Sequence, residues 1–242
     1  MSVKRPNAQS VVVLVTAMNE EGNLEATVNN ALTAVVPRFS DYEILIIEDG
    51  STDATAQIAD RLAAGNPRIR VHHNGANRGL AFSMRKGIEL VDKPYMAWVA
   101  GNNIVPLKGL EDVYDHVDDA DVVLSYVITD VRGLFRRAVS ITFTTLVNLL
   151  FGLHLKYYTG PWIVRTEVMK RFQTIGQGSM VVPEIPVRLI YGGASYVEVG
   201  LQPQPRTAGK TKTFRPSNFV FAATSIAQLF WDVRVVGSRH ER

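Results

Sequence analysis

Two acid-bearing loops carry most of the groups in this chain that could do chemistry. Val11-Val12-Val13-Leu14-Val15 runs into Thr16-Ala17-Met18-Asn19-Glu20-Glu21-Gly22-Asn23, and Ile44-Leu45-Ile46-Ile47 runs into Glu48-Asp49-Gly50-Ser51-Thr52-Asp53-Ala54-Thr55. An ionised carboxylate accepts a stronger hydrogen bond than a neutral group. A carboxylate straight after an apolar strand, as Asp49 is, is suited to hold a nucleoside base or a ribose. Asp53, three residues into a polar turn, reads instead as a helix cap. Arg78 and Gly79 open a helix, and the free N–H groups of a helix N-terminus favour anions. Cationic candidates are Arg132, Arg136, Arg137, Arg206, Lys210 and Lys212. His72, His73, His116 and His154 lack the spacing of a metal site or a catalytic triad and read as structural. The chain has no Cys, which excludes disulfides, thiolate metal sites and Cys nucleophiles and fits a reducing compartment.

These groups need elements to position them. Continuous β-branched runs bounded by turn residues are the pattern of parallel strands buried on both faces. The pattern predicts strands at Val11–Val15, Glu43–Ile47, Arg68–His73, Tyr95–Ala100 and Val122–Val127. Helices are predicted near Asn23–Val35, Ala54–Ala64 and Gly79–Val91, the first stopped by Pro37. This alternation points to an α/β fold, a doubly wound, mostly parallel, Rossmann-like sheet with right-handed crossovers. Ligands bind such sheets at the carboxyl ends of the strands, where both acidic loops emerge.

The 242 residues suffice for one large domain or two small ones, and 46% hydrophobic with 20% charged residues is ordinary globular composition. A net charge of +3 permits anionic partners without selecting one. The division expected is 1–130 as a ligand-binding α/β half, 131–215 as a second half of the same domain, and 216–242 as an amphipathic, basic C-terminal helix. Ala138–Leu155 and Phe219–Val236 are apolar with interleaved polar positions and basic flanks. They read as helices lying in a membrane interface, with core or homo-oligomer helices as the alternative. No run reaches the length of a membrane-spanning helix, and the N-terminus has no signal-peptide core.

Taken together, the motifs resemble family 2 glycosyltransferases, which have the GT-A fold. Thr16–Leu24 resembles their opening loop, Glu48–Thr55 their "D-D-G-S-x-D-x-T", and Asn77-Arg78-Gly79-Leu80-Ala81 the motif that follows. Arg206-Thr207-Ala208-Gly209-Lys210-Thr211-Lys212 resembles the downstream "R-x-x-G-x-S-K" of the polyprenol-phosphate sugar synthases, the group that includes dolichol-phosphate mannosyltransferase. The resemblance implies nucleotide binding by Ala17, Asn19, Glu20, Asp49, Arg78 and Gly79, with Asp49 on the imide of uracil or its guanine counterpart and Glu20 on ribose or base. It implies acceptor-phosphate binding by Arg132, Arg136 and Arg137. Glu184 matches a Glu near the active site of that group.

The sequence departs from the family at the fourth strand. Where "D-x-D" carboxylates hold Mg²⁺ or Mn²⁺, this chain has Ala100, Gly101, Asn102 and Asn103. Neutral amides bind hard cations poorly. The expected catalytic set is therefore Asn102, Asn103 and Glu184 with Arg206 and Lys210 supporting a leaving diphosphate, no metal ligands, and Mg²⁺ or Mn²⁺ at most carried in by the donor. Tyr157, Tyr158 and Trp162 replace an acidic acceptor motif and could stack on sugar or isoprenoid or pack in the core. The leading expectation is an inverting enzyme moving a sugar from a UDP or GDP donor to polyprenyl phosphate, peripheral at the cytoplasmic face of the membrane, with no nucleic-acid partner. A soluble glycan acceptor and a catalytically silent nucleotide-sugar-binding protein are the alternatives.

Overall fold

A computed structural model describes residues 7–128, 133–172, 176–205 and 216–236. Strands β1 (Asn7–Ala17), β2 (Phe39–Glu48), β3 (Ile69–His73), β4 (Tyr95–Ala100), β5 (Val122–Val127), β6 (Trp162–Arg165) and β7 (Tyr196–Leu201) form one sheet in the order β3-β2-β1-β4-β6-β5-β7. β6 alone runs antiparallel, between β4 and β5. The helices are α1 (Leu24–Val35), α2 (Thr55–Gly65), α3 (Leu80–Leu90), α4 (Leu107–Asp115), α5 (Leu134–Phe151), α6 (Thr166–Met169), α7 (Val181–Tyr191) and α8 (Pro216–Phe230), the last continued by a π-helical turn, Trp231–Val236.

The strand pattern explains the two-sided core. Val11, Val13 and Val15 face one cluster with α1, α2 and α4, while Val12 and Leu14 face another with α3, α5, α7 and α8. The expected strands and the first three helices are present. β6, α7 and β7 were not anticipated, nor was α4. β6 has only four residues, and α7 contains Pro183 and Pro186, which ordinarily argue against a helix. Pro183 lies in the first turn, where its missing N–H costs nothing; Pro186 lies inside.

The strand order reverses between β1 and β4. Ala17 is level with Glu48 of β2, and Thr16 with Ala100 of β4, so three strand ends open onto one crevice. Such switch points are where open α/β sheets bind ligands. Gly101 lets the β1 and β4 ends close up: a Cβ there would stand 3.1 Å from the Thr16 carbonyl oxygen.

Candidate active site

The two acidic loops interlock. Asn19, at φ 55, donates its N–H to Ser51 Oγ at 3.0 Å and accepts at Oδ1 from the Thr52 N–H at 2.8 Å. The Glu20 N–H donates to Thr55 Oγ1 at 2.8 Å, and Glu21 Oε2 accepts from the Ala54 N–H at 3.0 Å. Asp53 does act at the start of α2, accepting at Oδ1 from the Thr55 N–H at 3.0 Å, although Ala54 holds the cap position. Its Oδ2 accepts from the Glu21 N–H at 3.3 Å. Burial works to raise the Asp53 pKa, but the bonds from Thr55 and Glu21 outweigh it and leave the carboxyl below its ordinary value. The Glu20 carboxylate accepts from Asn23 Nδ2 at 2.7 Å at the head of α1.

Asp49 is only 4% exposed. Its Oδ1 accepts from Asn74 Nδ2 at 2.8 Å and the Arg78 N–H at 2.9 Å, and its Oδ2 from the Gly79 N–H at 2.8 Å. The anion that the N–H groups before α3 meet is thus the chain's own Asp49. A nucleobase imide would have to share Oδ2 with Gly79. Glu48, next to it, accepts from the Ser51 N–H at 2.5 Å and pairs with His73 Nδ1 at 3.2 Å, while His73 Nε2 lies 2.8 Å from Asp60. Burial pushes Glu48 up, and the bonds from Ser51, His73 and Gly50 outweigh it and leave it lowered. Ser51, Asn74 and the His73 bridge escaped sequence reasoning; the partners of His73 lie 25 and 13 residues away, so no local spacing reveals them.

At the end of β4, Asn103 is buried with φ 51. Its N–H donates to Thr27 Oγ1 at 3.0 Å, and its Oδ1 accepts from Asn30 Nδ2 at 3.3 Å and Gln204 Nε2 at 3.1 Å. Asn102 Oδ1 accepts from the Ile104 N–H at 3.3 Å.

The profile of glycosyl transferase family 2 matches residues 12–172. The chain belongs to glycosyl transferase family 2. It is 33% identical over 88 residues to the glycosyltransferase GlyG of Streptococcus pneumoniae, an alignment covering 36% of this chain and 29% of that one. It is 29% identical over 117 residues to the cholesterol galactosyltransferase of Borreliella burgdorferi, covering 48% of this chain and 32% of that one. The chain therefore spans less than a third of the length of these curated relatives. The fold matches glucosyl-3-phosphoglycerate synthase from Mycobacterium tuberculosis, solved with Mn²⁺, UDP and glucosyl-3-phosphoglycerate. The TM-score is 0.68 at 15% identity, over 93% of this chain and 80% of that chain. The fold is thus that of GT-A glycosyltransferases.

The positions at the end of β4 where the resemblance would place the acidic pair carry no carboxylate. Ala100 offers no oxygen from its side chain, and the amide oxygens of Asn102 and Asn103 are engaged within the chain. Among the described residues no group of three His, Asp or Glu could hold a metal ion. Ala100, Asn102 and Asn103 do not by themselves fit a hard divalent cation.

The remaining sites of the family 2 reading fall elsewhere. Arg136 and Arg137 sit in the first turn of α5, where cations oppose the helix dipole. Tyr158 and Trp162 are core residues: Trp162 stacks on Trp98 with ring centroids 6.1 Å apart, and Tyr158 donates its hydroxyl to Asn148 Oδ1 at 2.6 Å. Of the two readings left open for them, packing is what the structure supports. Glu184 lines a cleft between α5, α7 and α8. Arg132, Arg206, Lys210 and Lys212 lie outside the described residues.

Proposed function

We propose that this chain is an inverting glycosyltransferase that moves a sugar from a UDP or GDP donor to a polyprenyl phosphate at the cytoplasmic membrane face, without a protein-bound divalent cation. The observation that carries this reading is the pair Asn103–Gln204. Gln204 donates Nε2 to the Asn103 carbonyl at 2.8 Å and its N–H to the Ile104 carbonyl at 2.9 Å, and it stands two residues before Arg206 in sequence. The segment leading into the basic motif is fastened to the loop where the family resemblance would place the acidic clamp. Arg206 and Lys210 then supply the positive charge for the leaving diphosphate, and preorganised charge is the largest single contribution in such chemistry.

In the reaction, a phosphate oxygen of the lipid attacks the anomeric carbon opposite the diphosphate. The new carbon–oxygen bond forms as the bond to the diphosphate oxygen breaks, and the electron pair leaves with the nucleoside diphosphate. The lipid phosphate is already anionic near neutral pH, so no strong general base is needed. Glu184 positions acceptor groups, and Arg136 and Arg137 with Arg132 meet the acceptor phosphate.

No helix among the described residues is long and apolar enough to cross a membrane. Two features support the membrane setting. Helix α5 exposes Leu134, Ile141 and Leu149 along one face, with Leu149 76% exposed, and α8 with its π turn exposes Phe221 and Phe230 and leaves Trp231 60% exposed. Arg137 and Arg234 lie among them on the exposed surface. Apolar faces with basic neighbours suit the interface of an anionic bilayer. The relative named for cholesterol as its acceptor is likewise directed at a lipid.

The test is sugar transfer from labelled UDP- and GDP-sugars to vesicles of anionic lipid containing polyprenyl phosphate, in EDTA. Label in the organic phase is the expected result. Label only in water-soluble product moves the acceptor to the soluble class, and nucleotide binding with no transfer from any donor refutes the enzyme reading.

A further inference from the structure

Glu184 is 2% exposed, and the cleft it lines is walled by Phe143, Val147, Pro183, Ile226 and Leu229. A carboxylate in such surroundings needs hydrogen-bond partners. Its Oε1 accepts from Arg188 Nε at 2.5 Å and its Oε2 from the Gly176 N–H at 2.6 Å. Arg188, one turn further along α7, sends a second nitrogen of its guanidinium to a distant element. Nη2 donates to Asp232 Oδ2 at 2.6 Å, in the π turn after α8. The contact belongs to a seam: Arg234 lies over the Tyr191 ring at 5.4 Å, and Phe230 meets Phe151 edge-on at 6.0 Å. On the opposite side, Arg85 of α3 donates Nη1 to the Gly176 carbonyl at 3.0 Å. A polar path thus joins α3, Gly176, Glu184, Arg188 and the C-terminal segment.

One guanidinium shared by two carboxylates has a definite consequence. With Asp232 in place, Arg188 gives Glu184 a single N–H, from Nε. If the C-terminal segment lifts away, Nη2 is released and the guanidinium can turn onto Glu184 as a bidentate fork. The two carboxylates also repel each other across the shared cation, so removing the charge of either strengthens the hold of Arg188 on the other.

We infer that Arg188 and Asp232 are positioning residues for Glu184, through which the seating of the C-terminal helix sets the acceptor side of the site. This rests on the reading of Glu184 as an acceptor-side residue of a glycosyltransferase. The C-terminal segment is then a working part of the site in addition to a surface anchor, and its position governs turnover and not donor binding.

Two measurements on the full chain test this. The first needs no activity: native trypsin cleavage after the exposed Arg234, followed by mass spectrometry. When opening is fast, cleavage reports the population of the lifted segment. Asp232→Asn should cleave several times faster than wild type, and Glu184→Gln more slowly, because Arg188 then serves Asp232 alone. An ordinary structural ion pair predicts faster cleavage in both variants. Unchanged or faster cleavage in Glu184→Gln overturns the coupling. The second is kinetic. Asp232→Asn should lower kcat about tenfold, within the usual range of site-to-site coupling, with donor affinity unchanged and with recovery in Asp232→Glu. An unchanged kcat, or an equal loss of donor affinity, overturns the positioning role. If wild type transfers no sugar, the proposed function falls, and the trypsin comparison still decides the coupling.

Discussion

Asp49 closes the space between two loops by accepting the backbone N–H of Gly79 at 2.8 Å. With Arg78 and Asn74 also bound, this one carboxylate fixes the floor of the crevice and the entry of α3. Asp49→Asn keeps the shape but turns one acceptor into a donor facing an N–H. Leaving a buried group unsatisfied costs roughly 1–3 kcal/mol. The expected outcome is an unfolding free energy in urea lowered by that amount and weaker UDP or GDP binding by calorimetry. Full nucleotide affinity in the folded variant would assign Asp49 to scaffolding alone.

The end of β4 gives a second expectation. Since the chain's amides there are committed to each other, transfer should continue in EDTA at a rate close to that in Mn²⁺. The double variant Ala100→Asp, Asn102→Asp restores carboxylate oxygens of the kind hard cations prefer. It should bind Mn²⁺ measurably in the presence of nucleoside diphosphate, as detected by paramagnetic broadening. Strong chelator inhibition of the wild type would contradict the cation-independent reading.

Much of the fold and part of the site could be read from residue order. Strands β1, β2 and β4 announce themselves because burial on both faces removes polar residues from the whole run, and Asp49 stands out by following one of them. The role of Asp49 is less visible, because its partners Asn74, Arg78 and Gly79 come from a loop 25 to 30 residues later. β6 is too short to carry a pattern, and the prolines of α7 disguise it. The Glu184–Arg188 pair sits at helical spacing, but without knowing that α7 is a helix that spacing had no meaning. Asp232, 44 residues beyond Arg188, could only be joined to it in three dimensions.

Gly50 supplies a test of how tightly the loops are fitted. It has φ +67, and a Cβ would overlap the backbone of Ala76 and Asn77. Both features argue against any side chain, one through strain of about 1–3 kcal/mol and the other through displacement of the loop that delivers Arg78 and Gly79 to Asp49. Gly50→Ala should therefore destabilise the chain by more than the strain alone in urea unfolding, and should weaken nucleotide binding beyond what unfolding explains. Gly65→Ala is the control, since its Cβ would meet nothing within 4 Å and its φ is not positive; it should leave binding unchanged.

The His73 bridge makes stability depend on pH in a direction that can be worked out. The bond to Asp60 raises the His73 pKa most; burial opposes it, and Glu48 adds to the rise, so the folded value lies above the ordinary 6.5. A group whose pKa is raised by folding stabilises the protonated state. Its contribution is complete below about 6.5 and disappears as pH climbs through the folded value. Glu48 is lowered and stays ionised across this range, so it adds no slope there. His72 is lowered, chiefly by burial and further by Lys86, so its contribution runs the other way, growing as pH rises toward its ordinary 6.5. The His73 contribution to thermal stability should therefore be lost as pH rises from about 6.5 through the folded His73 pKa. The difference between wild type and His73→Gln should be largest at the acidic end of that window and shrink toward the alkaline end. A difference that stays constant with pH would mean that His73 stays neutral and donates to only one of the two carboxylates, with no charge in the bridge.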